Sequence, residues 1–255
     1  MGCLLVTTMA ELRANALLRS LRPAALRAVV GSSDVLEVAS GDATRLDGSP
    51  GGWIDFPLTA LLSVVVSDPS GTSVAVAMVG PEGATGLSGA LTGIEPLPGV
   101  VCAIGGRVAR LPTGEVRRLF DLDPNFRAAS VRCLGAELAE IVQVSACNRL
   151  HPLSDRLANW LLCASARTGR DELPTTHDLL ARLLGASRPN VSEALEAFAH
   201  QGVVETQRGA VRIVDRAGLA ACGSNCAAAL ADLGGRPASP VGRVARAGRG
   251  PRPRA

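Results

Sequence analysis

Between residues 11 and 30, Leu12, Leu17, Leu18, Leu21, Leu26, Val29 and Val30 recur at helical spacing with Pro23 between them, which predicts two short helices. From Val35 to Leu111 the texture changes. Runs rich in Val and Ile (Leu58–Ser67, Ser73–Val79, Val100–Ile104, Arg107–Leu111) alternate with Gly, Pro, Ser and Asp clusters such as 47–52 and 68–71. That pattern predicts an antiparallel β unit of short strands, a barrel or a sandwich. After Pro112 the helical period returns, with a short helix over about 113–121 and a long one opened by Asp123-Pro124 and ending near Leu150. Within it Val131, Leu134, Leu138, Ile141 and Ser145 stand three and four residues apart. This narrow seam suits packing against a second copy of itself, and packing on the β unit alone is the competing reading. His151-Pro152 closes that helix and Leu153–Thr168 forms another, with 169–172 as a loop. Residues 175–201 are helical again, broken at 185–187, and Val203–Val214 predicts a hairpin about Gln207-Arg208-Gly209. Beyond Gly223 no period survives, and the Ala-, Gly-, Pro- and Arg-rich end reads as a disordered tail.

Composition bounds this picture. A chain of 255 residues, 47% of them hydrophobic, suggests one large domain or two small ones with a real core. No run approaches the roughly 18 apolar residues of a membrane span, and Met1–Thr8 lacks a basic n-region, so a cytoplasmic protein without membrane contact is expected. The net charge is +3, and every one of the 26 basic residues is Arg. Six of these Arg and no acid fall between Arg236 and Arg254, so the body of the chain is mildly acidic and bulk charge does not point to nucleic acid. The tail arginines could add phosphate contacts; a solvated extension is the preferred reading. Seven scattered Cys, an odd number, read as reduced thiols. Cys222 and Cys226 are the one close pair and lack companions for a zinc site, so neither metal nor cofactor is expected.

The segment 175–202 carries the chemistry. A helix with Leu179, Leu180, Leu183 and Leu184 stops at Gly185; Ser187 then stands as an N-cap with Pro189 in the first turn. The second helix buries Val191, Leu195 and Phe198 and exposes Arg188, Asn190, Ser192, Glu193 and Glu196. Two short helices about a tight turn, followed by a hairpin, make a winged helix-turn-helix. Such a helix can enter a major groove, where Arg reads guanine, Asn reads adenine and Glu accepts from cytosine. Thr176, His177, Ser187 and the wing residue Arg208 are placed to fix register on phosphates or the helix start. Helix-turn-helix shapes also occur as plain packing units.

The chain resembles the Crp/Fnr family of bacterial transcription regulators over about residues 12–222. The resemblance rests on Phe56-Pro57-Leu58, on Met78-Val-Gly-Pro-Glu-Gly83 with Gly86-Leu87, on Ala146 to Trp160, on the helix-turn-helix, and on Arg208-Gly with Asp215 to Leu219. It implies an α+β fold: an N-terminal antiparallel β-barrel of cyclic-nucleotide-binding-like jelly-roll type with flanking helices (1–122), a long dimerisation helix (123–150) and a C-terminal winged helix-turn-helix (151–222). It also implies a sensor pocket about Glu82, Gly83, Ala84, Gly86 and Leu87. The partners implied are a double-stranded DNA operator, a second copy of the chain, RNA polymerase and an unknown small-molecule effector.

The departures are informative. Where cyclic-AMP-binding members carry a ribose-binding Glu, this chain has Ala84. Where they carry the phosphate-binding Arg-Ser pair, it has Leu97-Pro-Gly-Val-Val101. A buried phosphate without a cation is expensive, so no cyclic-nucleotide binding is expected. Only Cys3 lies near the N-terminus, against the Cys trio of iron–sulfur members, and His151, His177 and His200 all fall outside the β unit, against a His-ligated haem. Pro189 and Glu193 stand where cyclic-AMP-responsive members have Glu and Arg, so the operator should differ. Two other classes remain: a thiol switch through Cys102, Cys133 or Cys147, and an enzyme on the β unit, which has no His, P-loop, GxSxG or HExxH.

Overall fold

The computed structural model describes residues 8–45, 52–69, 72–94 and 98–224. The expected disordered tail from 225 onward, Cys3, Cys226 and Leu97 lie outside those residues. Among the described residues three short helices come first, where the sequence pattern predicts two: α1 (Met9–Leu12), α2 (Ala16–Ser20) and α3 (Pro23–Val30). The extra break lies at Asn15, fully buried, whose Oδ1 caps α2 by accepting from the Leu17 and Leu18 N–H groups. Its Nδ2 donates to Pro57 O and Gly83 O, so this one side chain ties the helices to the β unit.

Among the described residues seven strands follow: β1 (Asp34–Val38), β2 (Ala43–Arg45), β3 (Trp53–Pro57), β4 (Leu61–Ser67), β5 (Ser73–Val79), β6 (Gly99–Ile104) and β7 (Gly106–Pro112). They form two antiparallel sheets, β1-β7-β3 and β2-β6-β4-β5, in a jelly-roll arrangement rather than one continuous barrel sheet. The expected strand over 58–67 is split, because the chain turns a corner at Leu58–Ala60, where all three N–H groups point at Arg107 O. Gly106 makes that corner possible: a Cβ there would meet the Thr59–Ala60 backbone at 2.7 Å. Leu62, Val100 and Cys102 face Val108 of the other sheet, while Leu61, Val65, Val101 and Ala103 point the opposite way, into the core shared with the C-terminal helices. Burial on both faces explains why β6 reads as an unbroken apolar run, and β4 as one interrupted only by buried Ser63, instead of alternating.

A short helix that the sequence pattern does not announce, α4 (Leu87–Thr92), follows β5, and α5 (Thr113–Leu122) leads into the 27-residue α6 (Pro124–Leu150). Asp123 caps α6, accepting from the Asn125 and Phe126 N–H groups. The C-terminal unit comprises α7 (Leu153–Thr168), β8 (Glu172–Leu173), α8 (His177–Leu184), α9 (Arg188–His200), β9 (Val204–Gln207), β10 (Ala210–Ile213) and α10 (Arg216–Cys222). Glu172, expected in a loop, belongs to β8, a third strand paired with β10, so the hairpin becomes a three-stranded sheet. Among the described residues no helix is long and apolar enough to cross a membrane.

Candidate nucleic-acid interface

Local chemistry sets the two-helix unit. Thr176 Oγ1 accepts from Leu179 N and opens α8; α8 ends at Gly185 with φ +58°, a conformation that favours glycine; Ser187 Oγ accepts from Asn190 N and opens α9, with Pro189 in its first turn. Val191, Leu195 and Phe198 anchor α9 in the core formed with α7 and α8. Its opposite side is open: Arg188, Asn190, Glu193 and Glu196 are exposed, as is Arg208 at the tip between β9 and β10. Ser192 departs from the expected pattern, being half-buried with its Oγ 2.7 Å from His177 Nδ1. That contact joins the start of α8 to α9 and leaves His177 and Ser192 positioning one another. Arg188, 65% exposed, has its Nε 3.3 Å from Asp178 Oδ1. Two exposed charges gain little from such a pair, so the guanidinium can exchange Asp178 for another acceptor.

The expected seam on α6 divides. Val131 (58% exposed) and Leu138 (64%) face outward, and so does Ser145, whose hydroxyl bonds back to Ile141 O. Leu134 and Ile141 instead lean onto the protein's own core, Leu134 beside the α1–α5 helices and Ile141 beside Val64, Ala77 and Val79. The outward ridge is completed by Gly135 and Val142 (63% exposed), which the sequence reading did not select. On the far side Phe126, Ala129, Glu140 and Cys147 are buried. The helix is thus apolar on two opposite sides.

The five expected sensor-pocket residues do not converge. Ala84 and Leu87 are core, packed with Ile54, Phe56 and Phe126, and the Gly83 carbonyl accepts from Asn15. Glu82 turns the other way, toward the C-terminal unit. Gly86 meets a charged group that sequence spacing did not reveal. Gly86 adopts φ +81°, and a Cβ there would run into the Arg45 guanidinium. Arg45 Nη2 donates to Trp53 O at 2.6 Å, and Arg110 grips Asp55 with two bonds of 2.7 and 3.0 Å. Burial lowers the pKa of Arg45, partly offset by Asp55.

A second group missed from the sequence joins three elements. Arg167 on α7, almost wholly buried, donates to Glu140 Oε2 at 2.8 Å and to Met78 O, with Glu82 Oε1 3.6 Å away. Glu140 Oε1 accepts from Met78 N at 3.0 Å, and Glu82 Oε1 from Gly80 N at 2.8 Å. Burial works against the Arg167 cation, and Glu140 and Glu82 overcome it, holding its pKa above the ordinary value. Burial raises Glu82, only partly offset by Arg167. Burial, with Glu140 adding, lifts neighbouring Glu137 to about 7. The carboxylates and the cation are ordinary surface residue types, and no spacing rule marks residues 82, 140 and 167 as neighbours.

The thiol-switch reading finds no support. Burial pushes Cys102 up to about 12 and Cys133 to about 11, away from the thiolate that oxidation requires. Among the described residues no cluster of three or more His, Cys, Asp or Glu could hold a metal ion.

Comparison with known proteins agrees with this architecture. Residues 155–222 match the family model of the Crp-like helix-turn-helix domain. The chain is 26% identical over 223 residues to a CRP-like cAMP-activated global transcriptional regulator of Mycobacterium tuberculosis, covering 83% of this chain and 98% of that protein. It superposes on a crystal structure of a Crp/Fnr-family regulator from Eubacterium rectale with TM-score 0.63, at 16% identity over 82% of this chain and 98% of the other. A CRP-family regulator from Thermus thermophilus gives 0.62 at 21% identity, over 73% and 95%. At these identities the structures speak for the fold.

Proposed function

We propose that the chain, whose residues 155–222 match the Crp-like helix-turn-helix domain, is a transcriptional regulator of Crp/Fnr type that binds a twofold DNA operator as a homodimer and does not respond to cyclic nucleotide. The observation that carries the operator reading is the open outer side of α9. Arg188, Asn190 and Glu193 project from a helix whose inner side is fully packed, so they are available to base edges. Thr176 and Arg208 flank it at the positions from which phosphates fix register. A second copy joined along the exposed ridge Val131–Gly135–Leu138–Val142–Ser145 would present two such helices to successive turns of one duplex.

Rejection of cyclic nucleotide follows from Ala84 and from the site at Gly86. Arg110 is already committed to Asp55, and Arg45 lies against Gly86 while holding Trp53 O. A calorimetric titration with cyclic AMP is expected to give no saturable heat up to about 1 mM, a ligand level above which an affinity would carry only about 4 kcal/mol. The regulator itself is not proposed to be an enzyme; the role rests on occupancy of DNA. Footprinting of genomic fragments with the purified protein tests the whole reading. The expected result is protection of paired half-sites one helical turn apart, and uniform, salt-sensitive coating without discrete sites would overturn it.

A further inference from the structure

Where β5, α6, α7 and α8 meet, packing leaves a small crevice that opens to solvent. Its walls are mainly apolar. Ala75 and Ala77, two small side chains at i and i+2 and therefore on one face of β5, stand with Leu183 and Leu184 at the end of α8. The exceptions come largely from α7. Arg156 and Trp160 are four residues apart, so they share one side of that helix, and both line the crevice. Arg156 Nε and Trp160 Nε1 are buried N–H donors with no hydrogen-bond partner among the described residues. Buried donors are rarely left so.

The electrostatics are equally one-sided. Arg156 uses Nη1 to hold Leu184 O at 2.7 Å and reaches Asn148 Oδ1 at 3.5 Å, both uncharged acceptors. No carboxylate among the described residues forms an ion pair with it, and burial lowers its pKa. Glu140 also borders the crevice, but its two oxygens serve Arg167 and the Met78 N–H. The crevice is therefore bordered by a cation without an ion-pair partner, two unfilled donors on one helical face, the unfilled amide oxygen of Asn159, whose Nδ2 donates to Ser224 Oγ, and apolar walls.

We propose that this crevice is an effector site for a small organic carboxylate with an apolar body. The carboxylate would accept from Arg156 Nε–H and Trp160 Nε1–H, and the body would lie against Ala75, Ala77, Leu183 and Leu184. Inorganic phosphate fits worse, since it needs more donors than two and leaves the apolar walls bare. The site lies between β5 of the β unit and α8, the first helix of the helix-turn-helix. Arg156 already holds the carbonyl of Leu184, the residue before the Gly185 turn, so a ligand competing for that guanidinium acts on the seat of α8. Its meaning as an effector site rests on the regulator reading above; its binding chemistry does not.

The test uses the full chain carrying Trp53→Phe, which leaves Trp160 as the single indole, with benzoate and hexanoate as ligands and benzamide and inorganic phosphate as controls. Benzoate or hexanoate should change Trp160 emission saturably, with a dissociation constant between about micromolar and low millimolar. The controls should not. Arg156→Gln should weaken binding about tenfold or more, the effect of losing one charge-assisted hydrogen bond. Should Arg156→Gln fail to fold, Trp160→Phe, which keeps an aromatic ring and removes the N–H, should weaken binding several-fold by calorimetry. The proposal is overturned if neither acid saturates below about 10 mM, or if folded Arg156→Gln or Trp160→Phe binds as the parent does. Footprinting without ligand separates the two readings: discrete operators with no carboxylate binding sink this site alone, and carboxylate binding without operators sinks the regulator reading alone.

Discussion

Single residues carry the recognition chemistry and the stability in different places. Arg188 is exposed and its tie to Asp178 is weak, so its removal costs the fold nothing of note. Arg188→Ala is expected to lower operator affinity about tenfold or more by gel shift, with the thermal midpoint unchanged, because a forked contact to guanine discriminates by about 1–3 kcal/mol. Arg167 is the opposite case. It is the cation between Glu140 and Glu82, and both it and Glu140 are almost wholly buried. Arg167→Met leaves two carboxylates without their cation and should destabilise the protein by about 3–5 kcal/mol in urea unfolding, at the scale seen when one member of a buried pair is removed. Equal denaturation midpoints for the variant and the parent would contradict this. Thr176, Gly185 and Ser187 are legible in the sequence because each acts on backbone within three residues of itself. Arg45 and Arg167 are not, because their partners come from other elements.

At the scale of an element, α6 shows why a periodic pattern underdetermines packing. Its spacing of three and four marks an apolar seam, yet the helix is apolar on two opposite sides, and only the β unit decides which is already covered. Leu134 and Ile141 fall on the flank nearer the core, while Val131, Leu138 and Val142 stay outside. In the proposed dimer, Leu138→Glu would set like charges across the twofold ridge. The variant is expected to sediment as a monomer and to bind a two-half-site operator about a hundredfold more weakly, since the second half-site contact loses its effective concentration. A dimer of unchanged strength would move the interface elsewhere. β4 and β6 teach the complementary lesson: their largely apolar, non-alternating runs signal a sheet covered on both faces, but not that the second cover is the C-terminal unit.

For the whole molecule, the junction of β unit, α6 and α7 concentrates buried charge, and its response to pH has a definite sign. Glu137 titrates at about 7 in the folded protein against an ordinary 4.5, burial pushing it up and Glu140 adding to it. Between those values the folded protein keeps a proton that the unfolded chain has released, so this group's contribution to stability falls as pH rises from 4.5 to 7. Unfolding free energies of the parent and Glu137→Gln, measured across that window, should diverge, the parent losing stability relative to the variant as pH rises. Parallel curves would show that Glu137 titrates normally. The same junction ties the C-terminal unit to the sheet: Ser73 Oγ donates to Arg182 O, Ser40 Oγ to Pro174 O, and Gly185 rests on Val74. The helix-turn-helix is therefore seated on the β unit with the outer side of α9 left open.

The amino-acid order alone determined what local physics can encode: where period two gives way to period 3.6, where Thr176 and Ser187 start helices, where Gly185 turns the chain, and which residues of α9 face outward. It also carried the order of modules, since each has its own period and its own caps. Tertiary packing decided the rest. Glu82 faces Arg167 instead of a sensor pocket, Arg45 lies against Gly86, and Arg156 and Trp160 border a crevice whose other walls come from β5 and α8. Those juxtapositions join residues far apart along the chain, and no spacing rule reaches across sheet pairing and domain docking to foresee them.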